Sequence, residues 1–161
     1  MHDMLVRLYD LPSLEEALKL SARQGVAVRR ALSLEKPQVL EWVQAAFPVW
    51  TAEAEAAFCR SPVACFLAIR DQELLGFACY DATCRNFFGP TGVLEEERGR
   101  GLGRALLLAT LHAQRAQGYA YSIIGGVGPA EFYAKTVDAA PIEGSTPGVY
   151  AGILATNESD A

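Results

Sequence analysis

Arg98-Gly99-Arg100-Gly101-Leu102-Gly103-Arg104 is the stretch on which the reading of this chain turns. It follows an apolar, β-prone run at residues 87–94. It opens residues 101–117, where Leu102, Ala105, Leu106, Ala109, Ala113 and Ala116 recur at helical spacing and Leu107, Leu108 and Leu111 widen the apolar stripe. Glycine-rich backbone at a helix start lets several N–H groups face one anion, and the helix dipole adds about half a positive charge there. A bound phosphate is the expectation, and spacing separates the kinds of phosphate loop. A Walker loop needs GxxxxGK[ST], and no such Lys follows these glycines. A dinucleotide fingerprint needs GxGxxG or GxGxxA, whereas the glycines here stand at 99, 101 and 103. Neither pattern fits.

Working outward, residues 5–11 read as a strand stopped by Pro12, and Ser13 caps a short helix that ends at Gly25. Residues 26–32 read as a second strand. Ser33 opens a helix through Ala46 with Pro37 in its first turn, and Pro48 follows its end. Residues 51–60 form a third helix, with Glu53 and Glu55 in its opening turns where the dipole favours acids. Residues 65–70 and 74–80 have hairpin spacing about Asp71-Gln72-Glu73, and residues 87–94 continue the meander. Gly89, Pro90 and Gly92 are poor residues for a regular central strand, so a bulge or lost pairing is expected there. Residues 119–124 form a further strand ending in Gly125-Gly126-Val127-Gly128-Pro129, followed by a short helix at 130–136 and a Gly/Pro-rich remainder with a polar tail. No internal repeat or linker interrupts the chain.

With 161 residues, 51% apolar and 20% charged, the sequence suits one folded domain over residues 1–161, with residues 1–25 as an N-terminal extension. Fourteen Lys+Arg against nineteen Asp+Glu give a net charge of −5, and no basic run supplies a nucleic-acid footprint. No apolar run approaches the ~20 residues that span a bilayer, and Met1, His2 and Asp3 lack a basic leader. The expectation is a cytoplasmic protein with neither nucleic acid nor membrane as a partner. Cys59, Cys65, Cys79 and Cys84 include no CxxC pair and the chain has two histidines, so no metal site is expected. The apolar neighbours of the cysteines suit buried free thiols, Cys84 beside Arg85 being the candidate for reactivity.

The remaining pattern, [Q/R]xxGxG read as Arg98-x-x-Gly101-x-Gly103 between a strand and a helix, resembles the acyl-coenzyme A signature of the GCN5-related N-acetyltransferase (GNAT) family. The resemblance covers residues 26–133, in the order strand, two helices, three-strand meander, loop with helix, strand, helix. It implies an α/β fold with a mixed, mostly antiparallel central sheet flanked by helices, here with an extra N-terminal strand-helix unit. In that family the strand before the loop splays from the strand after the helix, and the pantetheine arm lies in the opening. The implied acetyl-CoA site then comprises the backbone of Val93 and Leu94 for pantetheine, and the N–H groups of Arg98, Gly99, Arg100, Gly101, Leu102, Gly103 and Arg104 for pyrophosphate. The side chains of Arg100 and Arg104 either reach phosphate or remain solvated, and Glu95-Glu96-Glu97 reads as a solvated turn. Phe132-Tyr133 matches the family's closing-helix pair, which implies Tyr133 as the proton donor to the cofactor sulfur.

Two features depart from the family pattern: Gly125 to Pro129 holds no Asn, and no Gly-Phe follows Tyr133. The tail is also short for the two terminal strands of the fold, so the strand at residues 5–11, or a second copy in a homodimer, is expected to complete the sheet edge. The implied activity is acetyl transfer from acetyl-CoA to a primary amine of a small-molecule acceptor, by direct attack through a tetrahedral intermediate. Asp81, Glu131 or water are candidate bases. Net charge favours cationic acceptors such as amines or aminoglycoside-like sugars, and Trp42, Phe47, Trp50 and Phe58 either wall an acceptor pocket or belong to the core. Two alternatives stay open: a non-catalytic acyl-CoA binding or sensing module, and a scaffold whose glycines only turn the chain.

Overall fold

In the computed structural model, which describes residues 2–154, the chain lays seven strands into one sheet. Met1 and the polar tail at residues 155–161 lie outside the described residues. The elements run β1 (Met4–Arg7), α1 (Leu14–Ala22), β2 (Ala27–Arg30), α2 (Lys36–Ala46), α3 (Thr51–Phe58), β3 (Cys65–Arg70), β4 (Glu73–Tyr80), β5 (Phe87–Val93), α4 (Leu102–Ala116), β6 (Tyr121–Ile124), α5 (Ala130–Val137) and β7 (Ala140–Pro141). The sheet order is β2-β3-β4-β5-β6-β1-β7. Its one parallel pair is β5 with β6, and the others are antiparallel.

Local chemistry accounts for most boundaries. Ser13 caps α1 by accepting the Glu16 N–H, and Glu15 and Glu16 occupy the first turn, where the dipole favours them. The β3–β4 hairpin turns on two residues, Asp71 and Gln72, at φ of +49° and +68°, so Glu73 already belongs to the strand and faces Arg70. Strand β1 is shorter than the sequence suggests, because residues 8–10 coil into a 3₁₀ turn that buries Leu8.

The sheet is covered on both faces. Alternation along β4 sends Ala78 to one face and Phe77 and Cys79 to the other. The first face packs against α1 and α4, whose Leu102, Leu106, Leu107, Leu108 and Leu111 are fully buried, and Tyr133 and Val137 of α5 join this cluster. The second lies under α2 and α3 and includes Val39, Val43, Ala54, Ala57 and Phe58. The polar residues inside the α4 stripe are satisfied: Thr110 donates to the Leu106 carbonyl, and Gln114 accepts from Ser122. Cys65 and Cys79 are buried free thiols facing one another across β3 and β4, whereas Cys59 is exposed, contrary to the sequence expectation.

Strand β1 pairs with β6 along four residues, Met4 opposite Ile124 through Arg7 opposite Tyr121, and β7 adds two residues beyond it. The N-terminal strand thus extends the sheet past β6 within the chain itself. Asp3 secures the same region: its carboxylate accepts the Gly126 N–H at 2.9 Å, its N–H donates to Ser145 Oγ, and its carbonyl accepts from Ile142.

Candidate active site

Strands β5 and β6 pair at two positions, Phe87 with Ile123 and Phe88 with Ile124, and then part. The cause lies in β5. Against β4, Val93, Gly92 and Thr91 oppose Gly76, Phe77 and Ala78, after which the register jumps so that Gly89 and Pro90 together stand against Cys79. This is the bulge that the glycines and proline foreshadow, and it bends β5 away from β6. Gly92 is required here for a second reason, since a Cβ on it would lie 2.8 Å from the Phe47 ring.

The gap opens into a cleft of about 780 Å³, a size that holds a small-molecule ligand. Val93, Gly103, Phe132 and Tyr133 line it on the α4 side of the sheet, and Trp50, Glu53, Thr83 and Tyr150 line it elsewhere. Gly125 and Gly126 pass close under the Tyr150 phenol, where a Cβ on Gly125 would stand 2.5 Å from the Tyr150 oxygen.

Main-chain polarity in the gap follows from one hydrogen bond. Leu94 donates its N–H to the Leu75 carbonyl at 2.9 Å, which makes that pair the hydrogen-bonded one. Alternation then turns the main-chain groups of Val93 and Thr91 to the opposite edge, into the gap. Of the two residues expected to offer main-chain groups, Leu94 has its N–H spent inside the sheet, while the N–H of Val93 points into the gap and its carbonyl already accepts from Arg98 Nε.

Above the gap stands the glycine loop. The Arg98 N–H donates to the Glu95 carbonyl and is removed from the expected set. The N–H groups of Gly99, Arg100, Gly101, Leu102, Gly103 and Arg104 have no acceptor among the described residues, while Ala105 begins the helical ladder by donating to Gly101. Gly99 and Gly101 take φ of +75° and +84°, which glycine adopts without strain. Gln24 holds the Arg100 carbonyl at 2.9 Å, and the planar trans peptide then turns the Gly101 N–H the other way.

Glu97 is not the solvated residue that its run suggests. It is buried, bound at both carboxylate oxygens by Arg70 at 2.7 and 2.9 Å, with Arg100 3.5 Å away. These cations hold its carboxyl below the usual carboxylate range, the Arg70 hydrogen bonds foremost. Arg98 is exposed and Arg104 half-buried, and Arg104 has no carboxylate partner among the described residues.

The Tyr133 phenol sits in the cleft wall, 6% exposed, with its ring edge-on to Phe88 and Phe132. Burial pushes its pKa up to about 12, so it is a protonated donor throughout the neutral range. The two carboxylates considered as bases stand elsewhere. Asp81 accepts from the Asn86 N–H and the Tyr119 hydroxyl and closes a turn, and Glu131 is exposed in an ion pair with Lys135. Of the four aromatic residues considered as a pocket wall, Trp50 lines the cleft, Trp42 and Phe47 pack against Phe77, and Phe58 is core. Glu53, Thr83 and Tyr150 had no assignment from sequence as cleft residues. Trp50 and Glu53 stand three apart at the start of a helix, a spacing that puts them on one side, but nothing local marks Tyr150, which arrives from the Gly/Pro-rich segment held by Asp3.

Among the described residues no helix is long and apolar enough to cross a membrane, and no group of three or more His, Cys, Asp and Glu residues could hold a metal ion. Residues 61–136 match the family model described as Acetyltransferase (GNAT) domain. A search of curated proteins finds no match. Among solved structures, the fold is similar to the GCN5-related glucosamine N-acetyltransferase region of a fungal multi-domain GH3 beta-N-acetylglucosaminidase. That alignment has a TM-score of 0.72 and 16% identity, and covers 88% of this chain and 19% of that one. A GCN5-related N-acetyltransferase from Sphaerobacter thermophilus aligns with a TM-score of 0.67 and 18% identity, covering 88% of this chain and 48% of that one. A GNAT family acetyltransferase from Brucella melitensis in complex with acetyl-CoA aligns with a TM-score of 0.52 and 20% identity, over 68% and 80%. The chain thus spans about a fifth and about half of the first two proteins, and at these identities the likeness is one of fold.

Proposed function

We propose, from the GNAT fold and the match of residues 61–136 to the GNAT acetyltransferase model, that the chain transfers an acetyl group from acetyl-CoA to a primary amine. The observation that carries this reading is the set of six consecutive N–H groups, Gly99 to Arg104, left without acceptors among the described residues at the head of a gap between strands. Such a row at the start of a fifteen-residue helix suits a pyrophosphate. Gly103 leaves the space beside Val93 and Phe132 open, since even a Cβ there would be 3.9 Å or more from its neighbours.

The bound acetyl-CoA supplies a thioester carbonyl open to a neutral amine and a thiolate leaving group. The loop holds the pyrophosphate, and the Val93 N–H, turned into the gap, binds the pantetheine chain or the carbonyl oxygen. Removing such an oxyanion donor in other enzymes costs about 3 kcal/mol. Tyr133, kept protonated by its burial, gives its proton to the departing sulfur. Glycines 99 and 101 serve to gather amides rather than only to turn the chain, because the amides they gather have no acceptor among the described residues.

Two measurements test this. Saturating coenzyme A should raise the melting temperature, a ligand at 100 times its Kd adding about 2.7 kcal/mol of stability. Free thiol should then appear with acetyl-CoA and an amine. Binding without thiol release from any amine would leave an acyl-CoA sensing module, and no thermal shift at millimolar coenzyme A would leave a scaffold.

A further inference from the structure

Among the described residues, Glu53 is the one charged side chain that lines the cleft. It projects from the first turn of α3 and accepts a hydrogen bond from Thr83 Oγ1. Among the described residues it makes no ion pair, in contrast to Glu55 on the same helix, which binds Lys36. The groups that feel its charge are the Tyr150 phenol and the Cys79 thiol, both raised first by burial and further by the Glu53 carboxylate. Neither can neutralise it. An uncompensated carboxylate in a cleft walled mainly by aromatic rings and glycine leaves room for a cation from outside.

Its position is as informative as its charge. Gly103, Phe132 and Tyr133 reach the gap from the α4 face of the sheet, beside the loop proposed for the pyrophosphate. Trp50 and Glu53 reach it from the α3 face. Two molecules entering from opposite faces meet at the gap, which is the geometry that a direct transfer needs.

We infer that the end of the cleft formed by Trp50, Glu53, Thr83, Phe87 and Tyr150 is the acceptor subsite, and that it takes a primary amine carried on a compact apolar body. The ammonium group sits against the Glu53 carboxylate and the body against the rings of Trp50, Phe87 and Tyr150. Thr83 fixes the carboxylate, and the indole face of Trp50 adds a cation–π contact. The lining offers one negative charge and few other polar atoms, so an acceptor with several charges or a ring of hydroxyls would leave groups buried without partners. This excludes the aminoglycoside-like sugars that net charge alone allowed.

The inference rests on the acetyl-transfer reading for its chemistry, and Glu53 supplies the base which that reading lacks. The carboxylate takes one proton from the ammonium and passes it to solvent. The neutral nitrogen then bonds to the carbonyl carbon, and the carbon–sulfur bond breaks. Tyr133 protonates the sulfur, and the second nitrogen proton returns Tyr133 to its phenol form. One amide, one thiol and one solvent proton result.

Calorimetry of 2-phenylethylamine, with and without coenzyme A, tests the subsite apart from the chemistry. The expected result is binding that 2-phenylethanol, spermidine and kanamycin do not match, weakened about ten-fold or more by Glu53→Gln, whose melting temperature verifies the fold, and partly restored in Glu53→Asp. Equal binding of the amine and the alcohol, tighter binding of spermidine or kanamycin, or an unchanged Kd in Glu53→Gln would overturn it. Thiol release separates the two readings: if 2-phenylethylamine binds through Glu53 and no thiol appears, acetyl transfer fails and the subsite stands. If spermidine alone is acetylated, the subsite fails and acetyl transfer stands.

Discussion

Arg70 binds both carboxylate oxygens of Glu97, at 2.7 and 2.9 Å, and so ties the end of β3 to the turn that leads into the glycine loop. Arg70 Nε also reaches the Gln24 carbonyl, and Gln24 in turn holds the Arg100 carbonyl. Three segments distant in sequence thereby set the orientation of the loop's peptide planes.

Glu97→Gln separates two views of this acid. Coulomb attraction alone says that removing a negative charge near a pyrophosphate site tightens coenzyme A. The bidentate clamp says the reverse, and a several-fold weaker Kd by calorimetry is the expected outcome. Tighter binding would mean that the clamp does not shape the loop.

Tyr133→Phe should lower the rate of thiol release about a hundred-fold or more, the lower end of the range of general acid catalysis, with little change in the Kd for acetyl-CoA. Because the phenol titrates at about 12, kcat should not decline between pH 8 and 10 through loss of this proton. A decline there that vanishes in Tyr133→Phe would contradict the burial argument.

Gly101→Ala and Gly103→Ala should part company. At φ of +84° and with Leu20 3.3 Å from a new Cβ, alanine at 101 is strained by about 1–2 kcal/mol and should lower the urea midpoint. At 103 a Cβ meets nothing closer than 3.9 Å, so stability should hold while the coenzyme A thermal shift shrinks, the methyl group occupying the opening. Equal midpoints for the two variants would show that the loop relaxes.

Acid stability should depend on Glu35, bound by Arg29 and by the Leu32 N–H, with its carboxyl lowered to about 2, the Arg29 hydrogen bonds being the main cause. The folded pKa lies below the unfolded one, so the contribution is complete above about pH 4.5 and is lost as pH falls toward 2. Melting temperatures from pH 5 to 2 should fall less steeply in Glu35→Gln than in the parent chain. Parallel curves would remove Glu35 from the acid transition.

The sequence discloses what periodicity and backbone chemistry carry. The apolar stripe of α4, the cap at Ser13, the bulge at Gly89 and Pro90, and the glycine turn at the start of α4 all follow from local rules, and the structure places each where those rules put it. What stayed hidden depends on contacts between distant segments. Leu94 resembles Val93 in every local respect, and only the ladder phase against Leu75 decides which N–H enters the gap. Glu97 stands in a run of three acids, and its burial is set by Arg70 twenty-seven positions earlier. Tyr150 reaches the cleft because Asp3 anchors the segment before it, a relation no window of sequence contains.

The pairing of Val6 with Ser122 has a consequence for how the molecule comes to be. During synthesis β1 emerges well before its partner β6 and must wait, unpaired, until the strands and helices between them have followed. Closing so long a loop is entropically slow, and an exposed edge meanwhile invites wrong pairing. Amide exchange should show the β1–β6 ladder opening as a unit while β3 and β4 stay closed. The loop at Gly126, which Asp3 holds, would be the last part of the cleft to take its native shape on a nascent chain and the first to lose it on an ageing one.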